Sequence, residues 1–471
     1  MLRPGVRNRA CGALLLLCAC TSGGETPLEP AACLAPQVVW SGVAPGTNNV
    51  LSGAVTAEVL DADSLAVRFG EAGFALDGVT PALEVIPGVV KVPVFGLQAA
   101  TSYALQLVAF NRCGMAQGEI LTFTTGALPA DLPAYAATGS APSPGYVVIA
   151  AGNYGLVIDN SGRVVWYHRF PNGPGLNFQA QPNGRYVARP NAAVAGPPAA
   201  WLELDPLGNI TRTLGCARGL QPRMHDFLGE ADGSYWVLCD EVRTVDLETA
   251  GGDADAQVLG TVVQHLTANG DLLFEWSPFD HLEVKLDDLT AADLAGQVIN
   301  WTHGNALDLD GDGNLLVSFR NLNSLVKIDT RTGAVVWRMG GSHNEFVFEN
   351  APMPAFARQH SLRVTGHGRL LLLDNLGEPA SRAERYEFDE AGRSVRLSGS
   401  YTSSGSVIAQ VGGTAQDLPG GRTLVSFGNG ASVEEYDAAG NVVWRLEGNP
   451  GYIFRAQRIQ SLYRPGTGDP R

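Results

Sequence analysis

Basic runs are missing from this chain beyond its extreme N-terminus, where Arg3, Arg7 and Arg9 stand. With 47 acidic against 32 basic residues and a formal charge of −15, the chain is ill suited to nucleic acid. Long helical patterns are few, and 57 glycines and 28 prolines take their place, so an all-β chain rich in turns is expected. The most conspicuous apolar run, Ala13–Ala19, is too short to span a bilayer. No cysteine occurs after Cys239, and histidine is scarce, with 8 in all. What is left, at 471 residues and 45% apolar, is a globular chain long enough for two domains.

The N-terminal arginines and the short apolar run read as a targeting segment, outside the fold. Leu17-Cys18-Ala19-Cys20 has the form of a bacterial lipobox, which predicts that Cys20 is the lipidated first residue of an exported lipoprotein. An ordinary signal peptide cut nearby is the alternative. Thr21 stands where an Asp would retain the protein at the inner membrane, so an outer-membrane lipoprotein facing the periplasm or the cell surface is expected. Residues 21–36 read as a flexible tether. Cys33, Cys113, Cys216 and Cys239 remain, an even number in an exported chain, which favours disulfides over free thiols. Three pairings are open. Cys33–Cys113 with Cys216–Cys239 is the one expected, because each bridge then stays within one domain.

What the chain has in abundance is one repeated phrase: an apolar residue, usually Asp, two variable residues, then Gly. It occurs at Ile158–Gly162, Leu204–Gly208, Leu266–Gly270, Ile328–Gly333, Phe388–Gly392 and Tyr436–Gly440, often followed by a run ending in Trp, as at Trp337 and Trp444. Each reads as a hairpin whose Gly supplies positive φ. Their spacing suits one four-stranded propeller blade per repeat, so residues 128–465 are expected to form a six-bladed β-propeller. Residues 37–127 read differently, as short strands around Val55–Leu60, Leu65–Phe69 and Val89–Phe95, with Pro93 marking a sheet edge. Tyr103 and the strand after it resemble the tyrosine corner of a fibronectin type III β-sandwich.

A second phrase, a polar lead-in before a turn and an apolar strand, carries the chemistry. His225, His303 and His360 occupy equivalent places in it in successive repeats. Innermost propeller strands line the central channel, so the three are predicted to converge at one mouth of it. The other five histidines lack the register. Arg320 ends the strand that His303 leads into, and Asn305 lies two residues past His303. Together these side chains would make a site for an anion with tetrahedral oxygens. Three His can also mean zinc with one open position, against which a nearby Arg counts, and no metal is expected. Asp308–Gly313 invites a calcium reading but lacks the EF-hand Glu at the twelfth place, so it reads as a hairpin turn. Asp329–Trp337 also looks like a blade repeat of quinoprotein dehydrogenases, which is read as shared architecture.

The segments His225–Phe227, His303–Leu307 through Arg320, Ile328–Gly341, Gln359–Ser361 and Asp374–Ala383 resemble the bacterial arylsulfate sulfotransferases, in order and spacing, across roughly 128–465. The resemblance implies a six-bladed propeller behind a β-sandwich and transfer of a sulfuryl group from an aryl sulfate ester to a phenol, with no nucleotide donor and no cofactor. By motif, His360 corresponds to the transiently sulfurylated histidine. His225, His303, Asn305 and Arg320 correspond to the sulfate-binding and proton-handling groups. The family's familiar disulfide just before the nucleophile is absent here. A non-catalytic surface-binding propeller and a zinc hydrolase are the competing readings. Small aryl sulfates and phenols are the partners expected, with a lipid anchor in the membrane, and a homodimer is left open.

Overall fold

The computed structural model describes residues 33–85, 88–173, 175–190, 200–285, 288–294, 296–351, 355–447 and 451–467. The expected signal segment with Cys20, and residues 21–32 of the tether, lie outside them. The chain is all-β: among the described residues, only Glu248–Ala250, Pro278–His281 and Ala291–Leu294 make helical turns.

From residue 136 onward the strands form six sheets in chain order, antiparallel but for two short added strands, Ile299–Asn300 and Val347–Glu349. Their inner strands are, in turn, Ala456–Ile459, Phe178–Ala180, Gln221–Gly229, Gly304–Leu309, His360–Gly366 and Thr414–Leu418. The first sheet thus takes its inner strand from the C-terminal end of the chain. The sixth takes its outermost strand, Ala136–Gly139, from the N-terminal side. Both ends of the sheet series are tied by pairing residues about three hundred positions apart.

Alternation explains why the sheets stack. Val147, Ile149 and Ala151 pack towards the sixth sheet, against Leu424 and Trp444, while Val148 and Ala150 pack towards the second, against Phe178 and Tyr186. Leu370 and Leu372 face the fourth sheet, and Leu371 and Leu373 face the sixth. A strand buried on both faces reads in sequence as a continuous apolar run. Six such apolar layers exist, one between each consecutive pair of sheets, the last joining sheet six to sheet one. Side chains close a second ring through the inner strands. Gln179 donates to Phe227 O at 2.9 Å, Asn305 to Gln359 O at 2.7 Å, and Gln457 to Ala180 O at 3.2 Å.

The repeated turns behave as their chemistry dictates. In Ile158–Gly162 and Tyr436–Gly440 the Asp carboxylate accepts backbone N–H groups two and four residues on, and the glycines sit at φ of 87° and 85°. The turn at 389–393 departs from expectation. There positive φ falls on Arg393, at 51°, and Gly392 serves instead to avoid the Asp389 carboxylate, which a Cβ there would meet. The recurrent Trp has a definite task. Trp166, Trp276 and Trp444 donate their indole N–H to Pro206 O, Gly333 O and Asn160 O, each in the turn of the following sheet. They act as pegs between neighbours.

Residues 37–124 form two further sheets over a core of Val55, Val67, Val92, Leu105 and Leu107. The strand bearing Pro93 lies at a sheet edge, and Tyr103 Oη accepts from Gln98 N at 2.9 Å. These sheets rest on the first two sheets of the ring through Asn48 on Gly208 O and Phe95 against Tyr463.

Both expected bridges are present, Cys33–Cys113 and Cys216–Cys239. The second ties the end of sheet two to the Tyr235–Val245 strand, which pairs with the strand carrying His225. Its partners are 23 residues apart. The chain-entropy model puts such a loop closure at roughly 3 kcal/mol. Cys216→Ala/Cys239→Ala is therefore expected to unfold at markedly lower denaturant than the wild type, read as a drop in midpoint, with a slope no smaller because the uncrosslinked chain unfolds to a more open state. An unchanged midpoint would contradict it.

Candidate active site

Three inner strands lose their regular register where a histidine stands. The pairing slips between Pro222 and Phe227 around His225, between Gly304 and Ala306 just after His303, and between His360 and Arg363. His303 is left-handed at φ 49°, and Ser361 at φ 59°. Such irregularities re-aim side chains out of the alternation that would bury them between sheets. All three rings arrive at one end of the ring of sheets. His225 and His303 stand edge to face, with centroids 4.9 Å apart and Nε2 atoms at 3.3 Å, and His360 lies 6.5 Å from His225. The edge of Phe454 meets both His225 and His360.

The hydrogen-bond network assigns the proton of His360. Asn375 Nδ2 donates to Ala409 O at 2.7 Å and Gly412 O at 2.8 Å, which leaves its Oδ1 facing His360 Nδ1 at 2.7 Å. Arg358 O is the second acceptor there, at 3.0 Å. His360 therefore carries its proton on Nδ1 and presents the lone pair of Nε2, whose only contact in the described structure is a long one of 3.4 Å from Gly412 N. Asn300 Nδ2 lies 2.8 Å from His303 Nδ1, and the Nε2 atoms of His303 and His225 face each other. His225 Nδ1 is buried with no protein partner among the described residues.

Burial, with nearby charge adding to it, keeps the rings neutral. Burial, then Arg223, lowers His225 far below the ordinary imidazole value, and the same causes with Arg320 push His303 down to about 2. Burial lowers His360 to about 4, with Arg320 adding to the shift and Asn375 opposing it. These three groups hold fewer protons folded than unfolded. The stability they contribute is complete above the unfolded value near 6.5 and is lost as pH falls through that range towards the folded values. Arg320, whose N–H bonds His303 O at 3.1 Å, places Nη1 on Asn321 Oδ1 at 3.0 Å. It has no carboxylate partner among the described residues.

Behind the rings Asp226 turns the other way. It is buried and receives Arg363 at 2.9 and 3.1 Å and Arg455 at 2.8 Å. Burial alone would raise its carboxyl, but the two guanidiniums outweigh it and hold it lowered. Asp308, also buried, acts on Arg363 from the neighbouring strand.

This geometry, a bare imidazole nitrogen among neutral histidines and unpaired guanidinium, lies inside a stretch that matches a known family. Residues 221–449 match the sequence model of the arylsulfotransferase (ASST) family. That match, over just under half of the chain, supports the arylsulfotransferase family. His225, His303, Arg320 and His360 all fall within the match. No curated protein matches the chain closely enough to count as a relative. Solved structures with remote likeness include a protein of unknown function from Bacteroides caccae, 13% identical, covering 68% of this chain and 100% of its own, at a TM-score of 0.45. A streptogramin B lyase is 15% identical, covering 67% of this chain and 89% of its own, at 0.38. Virginiamycin B lyase from Staphylococcus aureus is 10% identical, covering 69% and 100%, also at 0.38.

Set against the sequence expectation, the structure brings together His225, His303, His360 and Arg320. Asn305 meets a different geometry: its Nδ2 is committed to Gln359 O, next to the nucleophile candidate, so it braces the backbone that carries His360. Asp308–Gly313 is a hairpin turn, and where a calcium ion would sit, the Lys327 ammonium bonds Asp310 at 2.6 Å. Among the described residues no cluster of three or more His, Cys, Asp or Glu side chains is arranged to hold a metal ion. Sequence reasoning missed Asn375, Asn300 and Arg358. Asn375 stood inside a quoted motif, but nothing in its spacing tells that its amide would set a tautomer 15 residues upstream.

A prediction attaches to Asn375. Removing a hydrogen bond to a group that becomes charged costs about 1.5–3 kcal/mol, so Asn375→Ala should lower kcat by roughly ten- to a hundredfold. Asn375→Asp should instead raise the pH at which activity is lost in acid, because a carboxylate favours protonated His360. A merely structural Asn would leave that pH unmoved.

Proposed function

We propose that the protein transfers a sulfuryl group from an aryl sulfate ester to a phenol by a ping-pong route through sulfurylated His360. The observation that carries this reading is the bare Nε2 of His360, its tautomer set by Asn375, beside Arg320 and two neutral histidines. Nε2 attacks sulfur, the N–S bond forms, and the S–O bond to the aryl group breaks. The phenolate leaves, and Nδ1–H stays shared between Asn375 and Arg358 O. Arg320 and the free N–H of His225 are suited to hold the non-bridging oxygens, where most of the catalysis of such loose transfers lies. In the second half the His225–His303 pair takes the proton of the incoming phenol, whose oxygen attacks sulfur and restores His360. Over one cycle, one proton moves from the acceptor phenol to the phenolate released by the donor. No cofactor enters the balance.

Three wider readings belong to this proposal. The six sheets, closed by apolar layers and by a hydrogen-bonded ring of inner strands, support a six-bladed β-propeller over 128–465. The two sheets of residues 37–124 and the Tyr103 contact support a fibronectin type III-like sandwich. A lipid anchor at Cys20, placing the enzyme at the bacterial outer membrane, rests on the lipobox of the sequence.

The test is a chromogenic aryl sulfate mixed with the purified protein, with acceptor limiting and then varied. A burst of one phenol per enzyme, a sulfuryl group's mass on His360, and parallel lines in the two-substrate plot are expected. No release of phenol under any acceptor would refute the reading. The pH profile adds a prediction: kcat/KM for the donor should be flat near neutrality and fall about tenfold per unit below about 4, as His360 Nε2 takes a proton. A limb near 6.5 would mean that burial and Arg320 do not act on the free enzyme's nucleophile.

A further inference from the structure

Arg320 shares its acceptor with a second guanidinium. Arg358 Nη1 lies 2.6 Å from the same Asn321 Oδ1 that takes Arg320 Nη1 at 3.0 Å. The amide is fixed in that sense by its other end, since Asn321 Nδ2 donates to Asn300 O at 2.5 Å. Two cations thus converge on one neutral oxygen. Elsewhere in the chain most buried or half-buried arginines meet carboxylates: Arg212 has Glu203, Arg223 has Asp240, Arg363 and Arg455 have Asp226, Arg382 has Asp374, and Arg458 has Glu435, while Arg189 bonds the carbonyls of Pro190 and Pro222. Among the described residues neither Arg320 nor Arg358 has one, in a chain with 47 acidic residues. Burial and the nearness of Arg358 both act to lower Arg320. An anion placed between them would relieve that repulsion.

The backbone of Arg358 ties this pair to the nucleophile. Arg358 is left-handed at φ 54°, a conformation costly for a non-Gly residue, and is held there by its N–H on Asn323 Oδ1 at 2.8 Å. That turn aims its carbonyl at His360 Nδ1 and its guanidinium at Asn321. One residue therefore orients the imidazole through its backbone and offers a charge through its side chain.

We propose that Arg358 is a second substrate-binding cation, which with Arg320 forms a two-guanidinium clamp for the sulfuryl oxygens, and that Asn321 holds the pair until the anion takes its place. The inference rests on the sulfotransferase reading for the identity of the anion. Paired guanidiniums suit tetrahedral oxyanions because each presents a planar fork of N–H donors. The clamp would hold the donor's sulfate and then the sulfurylated imidazole, leaving the phenol acceptor untouched.

Binding of inorganic sulfate, followed by calorimetry at constant ionic strength, separates the possibilities, together with steady-state kinetics on an aryl sulfate. Arg358→Gln should weaken sulfate binding and raise the donor KM by about tenfold or more, the loss of one charge-assisted contact, with the KM of the phenol acceptor unchanged. Arg358→Lys should recover part of the affinity. Asn321→Asp is the sharper variant, since its carboxylate would pair with both guanidiniums. It should melt no lower than the wild type yet bind sulfate at least about tenfold more weakly. Sulfate affinity and donor KM within twofold of wild type in both Arg358→Gln and Asn321→Asp overturn the clamp. Where the wild type transfers sulfuryl groups without measurable binding of free sulfate, the donor KM alone decides. A wild type that neither binds sulfate nor transfers fails the sulfotransferase reading, and the clamp fails with it.

Discussion

His360→Ala is expected to abolish both the burst of phenol and steady turnover. Nucleophiles of covalent catalysis cost on the order of a millionfold when removed, because the reaction loses its split into two easier steps. The structure makes the variant informative. His360 is almost wholly buried, yet its short hydrogen bonds run through Nδ1, to Asn375 and to the carbonyl of Arg358, with only a long contact from Gly412 N to Nε2. Asn375 keeps two backbone acceptors after the ring is gone. The fold should therefore persist, as judged by circular dichroism and a cooperative melt, while a mass spectrum after mixing with donor shows no added sulfuryl group. Turnover near that of the wild type would eliminate the sulfohistidine route, whatever the family.

The second large effect is expected at Arg320. Removing one preorganised charge stabiliser usually costs about a hundredfold or more in kcat, so Arg320→Ala should reduce transfer at least that far with the fold intact. The fold should tolerate it because Arg320 has no ion pair among the described residues and its side-chain contacts, Asn321 Oδ1 and Gln410 O, lie at the partly exposed mouth. Arg320→Lys should recover only a small part, since an ammonium cannot grip two oxygens in one plane. A second readout follows from charge. Arg320 helps to lower His303 and His360, so in Arg320→Ala the acid limb of kcat/KM should move upward from about 4. A fall in rate without that movement would mean that the residue acts on the substrate alone.

Much of the architecture was legible in the chain itself, because it follows from local rules. Asp-x-x-Gly turns close on their own backbone amides, as Asp159 and Asp437 do, so hairpins can be counted without knowing where they go. Continuous runs such as Leu370–Leu373 belong to strands covered on both faces, and the structure divides them between two apolar layers as period-2 alternation requires. The equivalent placing of His225, His303 and His360 in successive repeats foretold their convergence. The cysteine count, with one bridge per domain, led to the observed pairs. Local reasoning failed where one residue changes a turn, as at Gly392, where positive φ passes to Arg393.

Only the tertiary structure decided the chemistry of the site. Which nitrogen of His360 is bare depends on Asn375, whose amide is in turn oriented by the carbonyls of Ala409 and Gly412, two loops away in the chain. The low affinity of the three imidazoles for protons is a product of burial and of Arg223 and Arg320, which the ring of sheets brings to the same end. The opposed directions of His225 and Asp226, one to the mouth and one to Arg363 and Arg455, come from a slipped register that no propensity encodes. Turn chemistry and alternation act over a few bonds, and the sequence determines them alone. Proton placement and electrostatic balance act through space between residues from 15 to 229 positions apart, and exist only once the ring has closed.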